Sequence, residues 1–124
     1  MTRAAVILRV VADHYGCDAV ELLGPRRNRQ LVVPRHTAIM CIAVLCPDLS
    51  LPAIGAAVRR DHTTVMYALG RVASHGKTSS RVDRRALPAL LERCRAALGQ
   101  VADEPNSGDA HLGMVDYDTL TALT

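Results

Sequence analysis

The sequence predicts an all-α fold, a small bundle of short helices followed by an acidic, flexible C-terminal tail. Apolar residues recur at three- and four-residue spacing in several stretches, and alternating strand-like runs flanked by turn pairs are absent. The 124-residue chain is 49% hydrophobic but contains no Phe and no Trp. A core of Val, Leu, Ile and Ala favours small helices that pack closely together.

The charge is divided unevenly along the chain. Residues 1–101 contain all 15 basic residues, 14 of them Arg, and 7 of the 12 acidic residues, for a net charge of +8. Residues 102–124 contain five acidic residues and no basic residue. We therefore predict a helical domain over 1–101 and an acidic tail over 102–124. A basic, Arg-rich domain is typical of a polyanion binder, although a GC-rich genome also raises the Arg content.

Two helices are predicted at the start of the chain. Residues 2–15 have apolar side chains at helical spacing, with Thr2 as the N-cap and Gly16 as the stop. Asp18 and Glu21 form a capping box that opens a one-turn helix. Both helices are predicted to be structural.

An arginine-rich loop and a third helix follow. The loop at residues 25–29 contains three arginines, Arg26, Arg27 and Arg29. The helix is predicted to begin at Pro34 and to end before Pro47, with a buried side formed by Ala38, Ile39, Ile42 and Leu45. Arg35 and His36 would then lie in its first turn, where free amides and the helix dipole attract phosphate.

Residues 50–72 predict two helices joined by a short basic turn. Ser50 is the predicted N-cap of the first helix, Pro52 lies in its first turn, and Asp61 caps the second. The second helix is predicted to run to Gly76, with one apolar side and a polar side headed by Asp-His-Thr-Thr at 61–64. This layout is a helix-turn-helix, whose second helix enters the major groove of DNA.

A last helix is predicted over residues 80–98, with Pro88 at its start or at a kink. Its buried side is formed by Leu87, Leu90, Leu91, Cys94 and Leu98. The arginines on its polar side are predicted to be solvated.

Several other functions are disfavoured by residue spacing. Five residues separate Gly70 from Gly76, whereas a phosphate-binding loop requires four and a preceding strand. The four cysteines lack C-x-x-C spacing, so we expect reduced, mostly buried thiols and no metal or cofactor. Asp61 and His62 are adjacent on a helix and cannot form a catalytic dyad, so we do not expect an enzyme. Without a signal peptide or membrane span, we expect a cytoplasmic, nucleoid-associated chain with no membrane partner.

The helix-turn-helix also shows a family resemblance. RDHTTV at Arg60–Val65, preceded by SLPAIG at Ser50–Gly55, resembles the C-terminal DNA-binding domain (domain IV) of the bacterial replication initiator DnaA. The resemblance extends upstream through VADHY at Val11–Tyr15, ELLGPRRNR at Glu21–Arg29 and PRHTA at Pro34–Ala38. The turn before Arg60 is one residue shorter than in most members of the family.

The resemblance implies a partner, double-stranded DNA, bound by a monomer at an asymmetric A/T-rich site like the DnaA box. The implied base-reading residues are Asp61, His62 and Thr63 in the major groove and Arg27 in the minor groove. The implied contacts to the DNA backbone are Arg26, Arg29, Arg35, His36, Leu51, Pro52, Arg60 and Thr64. The initiator's ATPase domain is not in this sequence, so we expect control of replication initiation, by regulation or competition, without ATPase activity. A start at Met1 and an acidic end favour a free-standing protein over an excised domain.

Alternatives remain open for the scaffold and for the tail. An RNA-binding or protein-interaction module that has lost box recognition is the main alternative, and the short turn before Arg60 supports it. The tail could extend into water, compete with DNA phosphates for the basic domain, or dock a protein partner through a short helix. The apolar residues available for docking are Met114, Val115, Tyr117, Leu120 and Leu123.

Overall fold

The computed structural model describes residues 1–25, 29–71 and 80–100, together with the backbone of residues 73–74 and 77–78. The helices in these residues are α1 (Arg3–Tyr15), α2 (Ala19–Leu23), α3 (Arg29–Leu45), α4 (Leu51–Val58), α5 (His62–Ala68) and α6 (Leu87–Gly99). Two short antiparallel strands, β1 (Ala73–Ser74) and β2 (Lys77–Thr78), follow α5. The predicted all-α fold is confirmed, since strands of two residues do not change the class. The predicted tail, Arg26, Arg27 and Gly76 lie outside the described residues.

Helix α3 is central to the bundle. It packs against α1 and α6, and also contacts α2, α4 and α5. Its predicted buried side is confirmed, since Ala38, Ile39, Ile42 and Leu45 are all at most 4% exposed. In α6, the predicted core residues Leu90, Leu91 and Cys94 are buried, and Leu87 and Leu98 pack against them. Three of the four cysteines, Cys41, Cys46 and Cys94, lie in this core.

The predicted N-caps and the capping box are confirmed by their hydrogen bonds, each of which joins residues three apart in the sequence. The Thr2 hydroxyl accepts from the Ala5 amide (3.1 Å), and the Ser50 hydroxyl accepts from the Ala53 amide (3.2 Å). The Glu21 carboxylate accepts from the Asp18 amide (3.2 Å), as in a capping box. Each bond satisfies one of the amides that a helix start leaves without a partner.

Three helices end in the same hydrogen-bonded motif. At the end of α1, the Gly16 and Cys17 amides donate back to Asp13 and Ala12, and Gly16 has a left-handed φ of 71°. Helix α5 ends in the same way at Gly70 (φ 73°). This is the Schellman motif, whose left-handed position favours glycine. Helix α4 has Arg59 at that position (φ 57°), the only non-glycine residue with positive φ among the described residues.

The predicted start of α3 is wrong. The helix begins at Arg29, five residues before Pro34, so Arg29 is a helical residue and Pro34 lies inside the helix. Pro34 removes one intrahelical bond, the one its amide would have donated to the carbonyl of Gln30. The turn before Pro34 nevertheless contributes Leu31 to the core at 7% exposure, and this burial favours helical structure there.

The predicted end of α5 and start of α6 are also wrong. Helix α5 stops at Ala68 because Gly70 closes the Schellman motif, instead of continuing to Gly76. Helix α6 starts at Leu87, with Pro88 in its first turn, where a missing amide costs little. Residues 80–86 are therefore not helical.

Candidate nucleic-acid interface

Helices α4 and α5 form the predicted helix-turn-helix around a very close backbone approach. The turn between them consists of Arg59, Arg60 and Asp61. A Cβ added to Gly55 of α4 would lie 2.5 Å from the carbonyl oxygen of Arg60, closer than real Cβ contacts. Only glycine therefore allows α4 to meet the start of α5 in this geometry. The close approach fixes where the first turn of α5 stands.

The first turn of α5 presents the three predicted base-reading side chains that lie in the described residues. Asp61, His62 and Thr63 are all exposed, while Val65 and Ala68 on the opposite side are buried. Asp61 is also the N-cap, since its Oδ1 accepts from the Thr64 amide at 3.0 Å. This bond lowers the pKa of Asp61 below its ordinary value, helped by the Thr64 side chain and the nearby His62. The carboxylate therefore stays ionised while it caps the helix.

This turn can make direct base contacts. An ionised carboxylate has about four acceptor sites, so the bonds from the Thr64 amide and side chain leave capacity to accept from a cytosine or adenine amino group. The Thr63 methyl can pack on a thymine methyl, and its hydroxyl can donate or accept. Thr64, a predicted backbone contact, is half-buried, and its amide is already used by the cap. A phosphate contact from Thr64 would have to use the hydroxyl.

Arg35 differs most from its predicted position. It is the seventh residue of α3 and only 6% exposed, so the argument from free amides at a helix start fails for it. Its Nε donates to the carbonyl oxygen of Leu22 at 3.0 Å, and one terminal nitrogen is buried without a hydrogen-bond partner. Burial, and then the charge of Arg60, lowers the pKa of the Arg35 guanidinium. Arg35 is therefore a buried residue that holds the Leu22 carbonyl, and one of its N–H groups remains without an acceptor in the structure.

Arg60 lies near Arg35 and binds a backbone carbonyl two residues further along the chain. Its two terminal nitrogens donate to the carbonyl oxygens of Gly24 (2.6 Å) and Arg59 (2.9 Å). Arg35 and Arg60 thus bind the C-terminal end of α2, at Leu22 and Gly24. That end leads directly into the arginine-rich loop, of which Pro25 and the exposed Arg29 lie in the described residues. We infer that both arginines fix the base of this loop.

His36 is half-buried and linked to a distant part of the chain. Its Nδ1 accepts a hydrogen bond from the Arg81 amide at 3.0 Å. Burial lowers the pKa of His36, and the charges of Arg35 and Arg81 lower it further. The ring is therefore neutral with its proton on Nε2, which can still donate to an acceptor such as a phosphate.

The start of α4 is the remaining predicted backbone contact. Pro52 is exposed and Leu51 half-buried, and the Ser50 cap satisfies the Ala53 amide. The amide of Leu51 has no acceptor within the helix, and the positive end of the helix dipole lies at the same place. This arrangement is suited to an anion.

No pattern in the sequence indicated the long-range bonds made by Arg35, Arg60 and His36. Their acceptors or donors are backbone groups 13, 36 and 45 residues away. The one indication in the sequence was the cluster of arginines at residues 26–35, which suggested that this region binds an anion. Within the described residues, no helix is long and apolar enough to cross a membrane, and no group of three metal-ligating side chains could hold a metal ion.

Comparisons with known proteins agree with this geometry. The model of the family "Bacterial dnaA protein helix-turn-helix" matches residues 4–72, from the second residue of α1 to beyond the end of α5. The chromosomal replication initiator protein DnaA of Thermus thermophilus is 39% identical over 89 residues, 71% of this chain and 20% of that protein. The corresponding proteins of Chloroflexus aurantiacus and Oenococcus oeni are 36% and 40% identical over 97 and 80 residues.

These matches cover 77% and 64% of this chain, but only 20% and 18% of those relatives. This chain thus spans about a fifth of the length of the relatives it matches. No solved structure gives a significant match. Since the family match covers more than half of its residues, the chain belongs to the bacterial DnaA helix-turn-helix family.

Proposed function

We propose that this chain binds double-stranded DNA sequence-specifically, as a monomer, at A/T-rich sites like the DnaA box. The observation that supports this best is the exposed, capped first turn of α5, with Asp61, His62 and Thr63 on a helix-turn-helix. A recognition helix presents base-contacting side chains at its N-terminus in this way. The net charge of +8 on residues 1–101 favours a polyanionic partner.

The proposed contacts are of two kinds, contacts to bases that read the sequence and contacts to the DNA backbone that position the protein. Asp61, His62 and Thr63 would contact base edges in the major groove, and Arg27 would enter the minor groove, whose narrow A/T-rich form attracts guanidinium groups. Leu51, Pro52, Thr64 and Arg29 would contact the backbone, as would Arg26 and the Nε2 of His36. Arg35 and Arg60 would act chiefly by holding the end of α2 that leads into the arginine-rich loop, and the half-buried Arg60 is better placed than the buried Arg35 for a phosphate contact.

Membership of the family supports a proposal for the biological role. Its relatives are chromosomal replication initiator proteins, and this chain corresponds to a fifth of their length. We propose that it acts in the control of replication initiation by occupying DNA sites, as a regulator or competitor, and without ATP hydrolysis or other catalysis. Association with the nucleoid would follow from DNA binding alone. The acidic residues of 102–124 would modulate this binding or contact a protein partner.

Selection from a random duplex library tests the proposed function. Enrichment of an A/T-rich, asymmetric motif supports it. No enrichment would favour an RNA- or protein-binding module on the same scaffold. With the selected duplex, Thr63→Ala should cost about 1–3 kcal/mol, and it should cost little on scrambled DNA, because a base contact discriminates between sequences. Equal losses on both duplexes would contradict direct readout by Thr63.

A further inference from the structure

Residues 80–86, which we call the basic strap, are non-helical but firmly attached to the helix-turn-helix. The Ser80 hydroxyl donates to the carbonyl oxygen of Ala68, the last residue of α5, at 2.7 Å. The Arg81 amide donates to His36 Nδ1 on α3 at 3.0 Å. The first two residues of the strap are thus bound to the recognition helix and to the central helix.

A second set of bonds fixes the middle of the strap. The Asp83 amide donates to the Thr37 hydroxyl (2.9 Å), and its carboxylate accepts from the Tyr15 hydroxyl (2.7 Å) and the Ala86 amide (3.2 Å). The Tyr15 hydroxyl remains a donor at neutral pH, since burial and then the bond to Asp83 raise its pKa to about 12. The strap therefore holds one position although it has no regular secondary structure.

The strap is also positively charged and its charge is available. It contains three arginines and one aspartate, a net charge of +2. Arg81, Arg84 and Arg85 are exposed, and none of them forms an ion pair within the described residues. The carboxylate of Asp83 is already bonded to Tyr15 and Ala86. A rigid segment that exposes unpaired guanidinium groups is suited to bind phosphate.

The attachment to Ala68 places the strap at the C-terminal end of α5. A seven-residue helix is about 10 Å long, similar to the depth of about 8.5 Å of the major groove. If the first turn of α5 meets base edges, its C-terminal end stands at the mouth of the groove, where the phosphates are. Arg81 lies at this end of α5 because it directly follows Ser80, whose hydroxyl is bonded to Ala68, and its own amide is fixed by the bond to His36.

We propose that Arg81 binds a DNA phosphate at the edge of the major groove, so that the basic strap extends the interface beyond the helix-turn-helix. This inference rests on the proposed DNA binding of α5. The strap lies outside the matched residues 4–72, so the family match does not include this contact. A phosphate contact adds affinity and fixes the orientation of the protein, but it does not distinguish sequences.

The test compares Arg81→Ala with Arg9→Ala in the full chain on the selected duplex, at several salt concentrations. Arg9 is an exposed arginine on α1 with no ion pair in the described residues, so its removal changes the net charge equally. Arg81→Ala keeps the backbone amide that bonds His36, so the strap should remain in place. The loss of one phosphate contact should reduce the slope of log K against log salt by about 0.9, and affinity by up to about 8-fold at 0.1 M salt.

Selected and scrambled duplexes should lose affinity alike in Arg81→Ala, while Arg81→Lys should retain most of the slope. Arg9→Ala should leave the slope unchanged. A wild-type slope in Arg81→Ala, or an equal decrease in Arg9→Ala, would overturn the inference while wild-type DNA binding still stands. A wild-type chain that binds no duplex would overturn the proposed function and this inference together.

Discussion

Gly55 offers the sharpest test of how the helix-turn-helix is held. It lies in α4, and a Cβ at this position would stand 2.5 Å from the carbonyl oxygen of Arg60. The contacted atom belongs to the backbone of the turn, so it cannot move aside as the end of a flexible side chain could. Gly55→Ala must therefore push the turn, and with it the start of α5, away from α4.

The expected change in stability of Gly55→Ala is the difference between a cost of overpacking and a gain in helix propensity. Ordinary contact begins at 3.4 Å, so the turn would have to move by nearly an ångström. Overpacking of this kind costs about 1–3 kcal/mol, whereas replacing Gly with Ala inside a helix gains about 0.5–1 kcal/mol. We expect a net destabilisation of about 1–2 kcal/mol, which for a domain of this size lowers Tm by at least about 4 °C.

Gly99→Ala is the matched control. Gly99 is the last residue of α6, and a Cβ there would meet nothing within 4 Å, so only the gain in helix propensity applies. Urea and thermal unfolding of both variants would measure the difference, and duplex titration below both Tm values would measure recognition. Gly55→Ala should lose more affinity for the selected duplex than for scrambled DNA. A Gly55→Ala chain as stable as Gly99→Ala would refute the close approach.

Three further predictions concern single residues of the fold, and a fourth concerns the acidic tail. Arg59→Gly should stabilise the chain by about 0.5 kcal/mol in urea unfolding, because relief of the left-handed strain exceeds the entropy cost of glycine; a loss of stability would contradict this. Arg35→Met should destabilise by about 1–3 kcal/mol, since it leaves the Leu22 carbonyl without its donor, and wild-type stability would show that the bond contributes nothing. Burial, Arg35 and Arg81 lower the pKa of His36 in the folded state, so its contribution to stability is complete above the unfolded pKa of about 6.5 and is lost as pH falls through the folded pKa. The free energy of unfolding, measured from pH 7.5 to 5, should show this fall, and the fall should be smaller in His36→Gln. Ending the chain at Ala102 should strengthen non-specific duplex binding at low salt, because the tail's five acidic residues compete with phosphates, and unchanged affinity would rule this out.

The parts of the fold that were predictable from sequence depend on chemistry within one or two helical turns. Thr2, Ser50 and Asp61 each bond an amide three residues ahead, so residue type and spacing suffice to identify them. The buried sides of α3 and α6 follow from apolar spacing in the same way. The first turn of α5 was predictable because it begins at a cap.

The parts that were not predictable depend on distant partners or on competing local signals. Pro34 is a strong helix-start signal, but the burial of Leu31 extends α3 by a further turn. The basic strap was predicted as helix, yet its amides bond to side chains 45 and 46 residues away. The burial of Arg35 depends on a backbone carbonyl, which has no signature in the sequence. Sequence patterns identify the helices here, whereas long-range polar bonds determine how they are joined.

Helix α5 illustrates how stability and the proposed recognition share one short segment. Helix α5 has seven residues and buries only Val65 and Ala68, so it would be marginal on its own. The stability that so little burial cannot provide comes from the two ends of the helix, through the Asp61 cap and the Schellman motif closed by Gly70. Because these end bonds hold the helix, His62 and Thr63 are not required for packing and remain exposed. Under the proposed function Asp61 would serve both needs, since the bond that caps the helix also keeps its carboxylate ionised and leaves it able to accept from a base.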